Sequence, residues 1–561
     1  MSGSWSFGEI KRTEICFTKE AGLYSPSFEI SYEKAYLEKN EIMERIEKSE
    51  VKVTAGKAVN KVINRLTVTV FLILVQVGWF AVALLALMEY GTWVSIIFSV
   101  ASALMALFII WRDDNPAFKI GWILLVGLLP VLGVTMYIFF GNKRPSKSLK
   151  RKIDPVEKGH IPELTQEDDL TGKASARLLN TVSYIRDKGP YPAWSGTGTK
   201  YYPLGDDAFE DMLTDLKNAE HFIFLEYFII SEGKMWDSIF EILKEKAAAG
   251  LDVRLIYDDI GSIHCLPKHF VSSLKKAGIK VMAFNPILPF VSLVYNNRDH
   301  RKILIVDGCI AYSGGYNLAD EYINRKERFG HWKDSGIRLS GHAVWNFTVM
   351  FLNMWNSFVP TEEDYTAFRP HKNHPEPFGE DGIVQPYSDS PLDDESLGEN
   401  VYLEILSQAE KYVYIFTPYL IIDNEMKTAL VLAAKRGVDV RIVTPAIPDK
   451  KIVFRLTRSY YEPLIKAGVK IYEYTPGFIH SKSFVCDDRI GVVGTINMDY
   501  RSLYLHFECA TLMCGSSAVM DLKKDCLETF DISREIRHED CRRNFFGLLF
   551  DAFLRIVSPL L

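Results

Sequence analysis

A chain of 561 residues is too long for one ordinary hydrophobic core, so two or three units are expected. Its net charge of −6, from 65 basic and 71 acidic side chains, offers no global attraction to nucleic acid. Eight Cys without a C-x-x-C pair exclude a zinc ribbon or dithiol motif and suit a chain kept reduced.

Residues 1–60 form a charged N-terminal region, with Glu and Lys mixed from Tyr32 to Lys57 in a pattern that suits a solvated helix. No early apolar core precedes a small-residue cleavage site, so a removed secretory signal is not expected. Within 61–145 come three uncharged runs, 66–88, 90–111 and 120–142. Each reaches the roughly 20 residues that cross a bilayer as a helix, and none shows the polar face a soluble helix of that length carries. Trp79, Trp93, Trp111, Trp122 and Tyr137 include several rings near run ends, where amphipathic aromatics prefer the interface. Lys57, Lys61 and Arg65 precede the runs, and Lys143, Arg144, Lys147, Lys150, Arg151 and Lys152 follow them. Three crossings put these basic flanks on opposite sides, and the larger C-terminal cluster then places the rest of the chain in the cytoplasm; alternatively one run does not cross.

From about residue 176 the chain alternates between buried strands, such as HFIFLEYFII and VRLIYDD, and amphipathic helices such as MWDSIFEILKEKAAAG. The same order then returns. AEHFIFLEYFII at 219 matches AEKYVYIFTPYLII at 409, and LKKAGIKVMAFNP at 274 matches LIKAGVKIYEYTP at 464. The catalytic part is therefore read as a duplicated α/β unit, 146–375 and 401–561, joined by a Pro, Gly, Asp and Ser rich linker at 376–400. The first copy carries an apolar insertion, NPILPFVSLVYNNRD, before His300, which serves either local packing or as a lip for an apolar substrate. At the C-terminus Phe545, Leu548, Leu549, Ala552, Phe553 and Ile556 recur at helical spacing, to cover their own domain or to lie on a bilayer.

One constellation appears once per copy: His300, Lys302, Asp307, Gly314, Gly315 and Asn317, then His480, Lys482, Asp487, Gly494, Thr495 and Asn497. A His two residues before a Lys on a strand shares its face. Imidazole serves as nucleophile or acid near neutral pH, ammonium holds an anion, and Asn amides donate to phosphate oxygens. The Asp is suited to orienting another group, a His nitrogen among the candidates. Two such sets around one centre describe a phosphodiester site, one His attacking phosphorus and the other protonating the departing oxygen. Neither copy has the His, Asp and Glu clustering of a metal centre, so neither metal nor cofactor is expected.

The two H-x-K-x4-D-x6-G motifs resemble those of the phospholipase D superfamily over roughly residues 176–530, and more finely those of bacterial cardiolipin synthases. WRDDNPAFKIGWILLVGLLPVLGVTMYIFFGNKR is similar to their N-terminal hairpin, NRDHRKILIVDG to their first motif, and GTINMDYRSLYLHFE to the segment from the second onward. The resemblance implies two pseudo-symmetric α/β repeats with mixed sheets flanked by helices, preceded by transmembrane helices. It implies His300 as phosphohistidine nucleophile, His480 as general acid and base, and Lys302, Lys482, Asn317 and Asn497 as phosphate holders beside Gly315 and Thr495. Asp307 and Asp487 become support residues, and Glu508 the acidic partner of a histidine. This chain departs from the family's pattern in the extra apolar run at 66–88 and in His506, where the family tends to carry Asn. The implied reaction moves a phosphatidyl group between two phosphatidylglycerols in a bacterial inner membrane to give cardiolipin and glycerol. Its rivals are a phospholipase D or other headgroup transferase, a membrane-tethered nuclease, which the charge balance disfavours, and a scaffold with a retired site.

Overall fold

The computed structural model describes residues 92–561 apart from 142–146, 287–295, 360, 362, 375, 376 and 561, with 74, 75, 78 and 82 ahead of them. The expectations for 1–60, for 66–88 as a span and for the apolar insertion at 287–295 lie outside the described residues.

The run 90–111 appears as one helix, Thr92–Trp111. The run 120–142 does not stay whole: it divides into Pro116–Leu128 and Pro130–Phe140. Pro130 explains the break, since it supplies no amide hydrogen and forces the preceding Leu129 out of the helical region, to φ −131° and ψ 74°. At this corner Gly133 runs against the preceding helix, where a Cβ would meet the Leu125 carbonyl oxygen and Val126 Cα at 2.5 Å. Ile109, Val126, Val134 and Tyr137 bury one another between the three helices, and Ser102 Oγ donates to the Val126 carbonyl at 2.7 Å. Among the described residues no helix is long and apolar enough to cross a membrane.

The strands follow in chain order as β1 (Thr197–Tyr202), β2 (Phe222–Tyr227), β3 (Asp252–Asp258), β4 (Lys280–Phe284), β5 (Lys302–Val306), β6 (Ile310–Gly314), β7 (His331–Lys333) and β8 (Gly336–Gly341). All but β7 form one sheet in the order β1-β8-β6-β5-β2-β3-β4, with β2, β3 and β4 parallel and the other neighbours antiparallel. The second copy supplies β9 (Ile383–Asp389), β10 (Tyr412–Phe416), β11 (Leu420–Ile421), β12 (Asp439–Pro445), β13 (Lys470–Tyr474), β14 (Gly477–Ile479), β15 (Ser483–Cys486), β16 (Ile490–Gly494), β17 (Met498–Asp499), β18 (Glu508–Cys514) and β19 (Ser533–Ile536). Its main sheet reads β9-β18-β16-β15-β10-β12-β13-β19, the first order repeated with one strand added. The duplication expected from the sequence is thus a duplication of mixed-sheet topology.

Two boundaries differ from the sequence reading. The passage 376–400 contributes β9, paired along its length with β18. Pro386 makes it look like a connection, yet β9 is an edge strand, the one place in a sheet where the missing amide hydrogen costs no ladder bond. The helix Ala176–Lys188, by sequence part of the first unit, buries Leu178, Val182 and Ile185 among Val401, Tyr402 and Ile405 of the second.

The inner faces of the two sheets share one core, in which Phe224, Ile303 and Ile337 of the first join Val384, Phe416 and Val485 of the second. The helix Val344–Phe358 lies in this core with 14 of its residues buried. Its buried polar side chains are satisfied internally, Asn346 by donating to the Pro192 and Pro386 carbonyls at 2.8 Å. β7 pairs in parallel with β14 and ties the two copies together beside the histidines.

Candidate active site

His300 stands two residues before the start of β5 and His480 between β14 and β15. Each is held by the opposite copy. The His300 amide donates to the Phe507 carbonyl at 2.9 Å, and the His480 amide to the Lys333 carbonyl at 2.7 Å. The next residue in each partner segment is acidic, and it meets the histidine side chain. His300 Nδ1 lies 2.9 Å from both Glu508 carboxylate oxygens, and His480 Nδ1 lies 2.7 Å from Asp334 Oδ2.

Glu508 and Asp334 are structural equivalents. Each sits two residues ahead of the residue that pairs with the last glycine of the neighbouring strand, Gly494 with Ala510 and Gly314 with Gly336. Both carboxylates are fully buried. Each accepts a hydrogen bond from Nδ1–H, which leaves each Nε2 with a free lone pair. Lys482 Nζ also lies 2.9 Å from His480 Nδ1. A protonated Nδ1 cannot accept from it, and the shorter, charge-assisted bond to Asp334 decides the tautomer.

The expected residues divide into four groups. His300, His480, Asn317 and Asn497 line one cavity of about 620 Å³, with Tyr322 and Phe228 among its walls. Each Asn uses one amide hydrogen internally, Asn317 on Tyr322 at 2.8 Å and Asn497 on Ser502 at 3.0 Å, and keeps another for a ligand. Lys302 and Lys482 are fully buried behind the histidines, where each ammonium donates to the carbonyl of its own histidine and retains further hydrogens.

Asp307 and Asp487 do not hold His300 or His480. They follow the far ends of β5 and β15, at φ 51° and 53°. Asp307 accepts the amides of Glu220, His221 and Phe222 at 2.7–2.8 Å, and Asp487 those of Glu410, Lys411 and Tyr412 at 2.7–2.9 Å. The candidate role of orienting a His nitrogen is corrected accordingly: each Asp pins the start of the central strand β2 or β10. The distance is set by the strand, because four residues of extended chain separate Lys from Asp.

Gly315 and Thr495 act on the acidic partners. A Cβ at Gly315 would fall 1.9 Å from Asp334 Oδ1, so only glycine leaves that carboxylate in place. Thr495 Oγ1 donates to Glu508 Oε2 at 2.5 Å. Asp334 was not among the residues singled out from the sequence. A signal exists: Asp334 and Glu508 each stand seven residues before a left-handed glycine, Gly341 and Gly515. Also unforeseen are the ion pairs flanking His300, Arg298 with Asp258 at 2.8 Å and Arg301 with Glu226 at 2.6 Å, which fix the chain on both sides of it.

Burial dominates the electrostatics. It pushes His480 down to about 4, aided by Lys482 and opposed by Asp334, and it pushes His300 well below its ordinary value. Both rings are neutral near pH 7, as a nucleophile or base requires. Burial also lowers Lys302 to about 8 and Lys482 to about 7. An arriving phosphate diester restores their charge, so the positive field is strongest when substrate is present. His506, whose ring centroid lies 5.6 Å from that of His300, is lowered to about 4 by burial. One of its ring nitrogens, one His300 nitrogen and one Glu508 oxygen form the only set of convergent metal-type ligands among the described residues.

Sequence comparison accords with this geometry. A family model described as "Cardiolipin synthase, PLD-like domain" matches residues 212–335 and 402–529, and one described as "Phospholipase D-nuclease N-terminal" matches 101–142. An uncharacterized protein of Streptococcus mutans is 46% identical over 79% of this chain and 96% of its own. A cardiolipin synthase of Halalkalibacterium halodurans is 32% identical over 89% of this chain and 100% of its own. A solved phosphatidylserine synthase of Haemophilus influenzae, 14% identical, shares the fold with a TM-score of 0.51 over 68% of this chain and all of its own. With the motif doubled, the sheet topology doubled and a cardiolipin synthase matched along its whole length, the chain belongs to the cardiolipin synthase family of the phospholipase D superfamily.

Proposed function

We propose that the protein condenses two phosphatidylglycerols into cardiolipin and glycerol. One observation carries this reading: two buried neutral histidines, each with its own carboxylate from the opposite copy, open into a single cavity backed by two lysines. His300 Nε2 attacks phosphorus, the P–O bond to glycerol breaks, and His480, which takes a proton from solvent on Nε2 as the anionic diester enters the cavity, delivers that proton to the departing oxygen. The resulting phosphatidyl-His300 is attacked by a hydroxyl of the second phosphatidylglycerol, whose proton returns to His480. Lys302, Lys482, Asn317 and Asn497 hold the non-bridging oxygens throughout. One phosphodiester replaces another with little driving force, so the intermediate must meet an alcohol before it meets water.

A bilayer setting supplies that alcohol. Leu104, Leu107, Phe108, Ile110 and Trp111 on the first described helix and Leu128 and Leu129 on the second are exposed, and they suit burial in lipid. The C-terminal helix Phe545–Val557 adds to this surface. Its Asp551 and Leu554 face the protein, with Asp551 paired to Arg455 at 2.6 Å, while Phe545 and Phe546 are 68% and 78% exposed. We place the helices in a bacterial cell membrane, with the two catalytic repeats on the cytoplasmic side that Lys147, Lys150, Arg151 and Lys152 favour.

The test is mass spectrometry of lipids formed by the purified full-length protein from phosphatidylglycerol alone. Cardiolipin with equimolar glycerol is expected, and it disappears in His300→Ala. Phosphatidic acid without cardiolipin would replace this reading with a hydrolytic phospholipase D.

A further inference from the structure

The active-site cavity has a neighbour with the opposite charge. A second cavity of about 720 Å³ is lined by Asp113, Asp114, Asp389, Asp393, Asp394 and Glu395, and His506 lines both. Phosphate is drawn to the lysine side and cations to this one. Between them His506 is unpartnered. Its side chain is 10% exposed, neither ring nitrogen has a hydrogen-bond partner, and Nδ1 stands 3.7 Å from Glu508 Oε1, beyond hydrogen-bond range.

His300, His506 and Glu508 each offer one ligand atom, all within 4.8 Å of one another. Glu508 Oε1 lies 2.9 Å from His300 Nδ1 and 3.7 Å from His506 Nδ1. A tetrahedral zinc ion with bonds of about 2.1 Å separates its ligands by about 3.4 Å, so small rotations of three side chains satisfy it. Two imidazoles and a carboxylate suit Zn²⁺, Co²⁺ or Ni²⁺ rather than Mg²⁺ or Ca²⁺. The carboxylates of the acidic cavity do not themselves converge on one ion, which suits a vestibule and not a binding centre.

We propose that His300, His506 and Glu508 form an inhibitory site for a zinc-class divalent ion that enters through the acidic cavity. Inhibition follows from the ring chemistry, and it rests on His300 being an essential group of the proposed reaction. A metal on Nδ1 takes the lone pair freed when the Nδ1 proton shifts to Nε2, so Nε2 becomes a donor with no lone pair for phosphorus. A metal on Nε2 occupies the reactive lone pair directly. Either bond also removes Glu508 as a simple proton acceptor. Catalysis needs no metal, and EDTA protects it.

The experiment reads binding without turnover. Metal-stripped full-length protein in detergent is titrated with Co²⁺, whose visible absorption reports a low-symmetry nitrogen and oxygen site, and Zn²⁺ is then added as competitor. One Co²⁺ per chain, displaced by Zn²⁺, is expected in the wild type. His506→Asn weakens it roughly 10- to 100-fold, at least the loss seen when a mere supporting partner of a metal ligand is removed. In parallel, Zn²⁺ inhibits lipid transfer by the wild type, EDTA restores it, and His506→Asn requires correspondingly more Zn²⁺, each protein compared with its own metal-free rate. His506→Gln carries the same test if the Asn variant does not fold. Equal Co²⁺ affinity in wild type and variant, or binding without inhibition, overturns the proposal. Co²⁺ binding of the expected kind in a protein that makes no cardiolipin even in EDTA sinks the synthase reading and leaves the metal site standing.

Discussion

Each reactive histidine gets its tautomer from the other copy of the repeat. Glu508→Gln leaves an amide where His300 Nδ1 needs an acceptor of full charge, and Asp334→Asn does the same to His480. Each change is expected to lower kcat by roughly 10²- to 10⁴-fold with little change in thermal stability, measured as initial rates beside melting curves. The lowered lysines set a pH window. Lys482 at about 7 and Lys302 at about 8 lose their charge as pH rises, so kcat/KM falls above pH 7–8; His300, held well below its ordinary value by burial, gains a proton as pH falls and then loses the lone pair that attacks phosphorus, so the acid limb lies well below 6.5. A pH profile of kcat/KM checks both limbs, and an acid limb near 6.5 would mean that an ordinary exposed histidine controls the rate. The histidines, lysines and asparagines were legible in the sequence because their spacing recurs. Asp334 was not, because it lies 20 residues from Gly314 in one copy while Glu508 lies 14 from Gly494 in the other, so counting from the motif does not align them, and strand pairing does.

At the level of elements, the Asp that recurs in each motif pins the strand and stands away from the cavity. Asp487 accepts three backbone amides at the start of β10; burial alone would raise its carboxyl, and those donors hold it below the usual value. A depressed carboxylate adds stability above its unfolded pKa of about 3.9 and loses it as pH falls through the lower folded value. Asp487→Ala should therefore cost about 3 kcal/mol or more near neutral pH, since it strands buried amides, and the deficit relative to wild type should shrink in strong acid, as read by denaturant melts. Gly315→Ala acts differently: its methyl displaces Asp334 from His480, and a fall in kcat exceeding any fall in KM is expected. The duplication and the order of strands and helices were readable from repeated apolar runs. The edge strand β9 was hidden by Pro386, and the split of the third apolar run by a composition that stays uniform across Pro130.

At the scale of the whole molecule, the proposed bilayer setting has the exposed apolar face of the C-terminal helix and the described hairpin bring the cavity to lipid. Phe546→Glu with Leu549→Glu should weaken binding to vesicles of phosphatidylglycerol several-fold in flotation assays while sparing the rate in detergent micelles, because neither residue lines the cavity. Sequence composition announced the apolar runs; how they pack depends on contacts no composition records. The measurement that bears most directly on the central claim is the site of the covalent intermediate. Wild-type protein turning over phosphatidylglycerol is quenched, digested and examined by peptide mass spectrometry under conditions that preserve phosphohistidine. A phosphatidyl adduct on the peptide containing His300, absent from His300→Ala, is the expected result; cardiolipin formed at full rate with no adduct on that peptide, or with the adduct on His480, would contradict it.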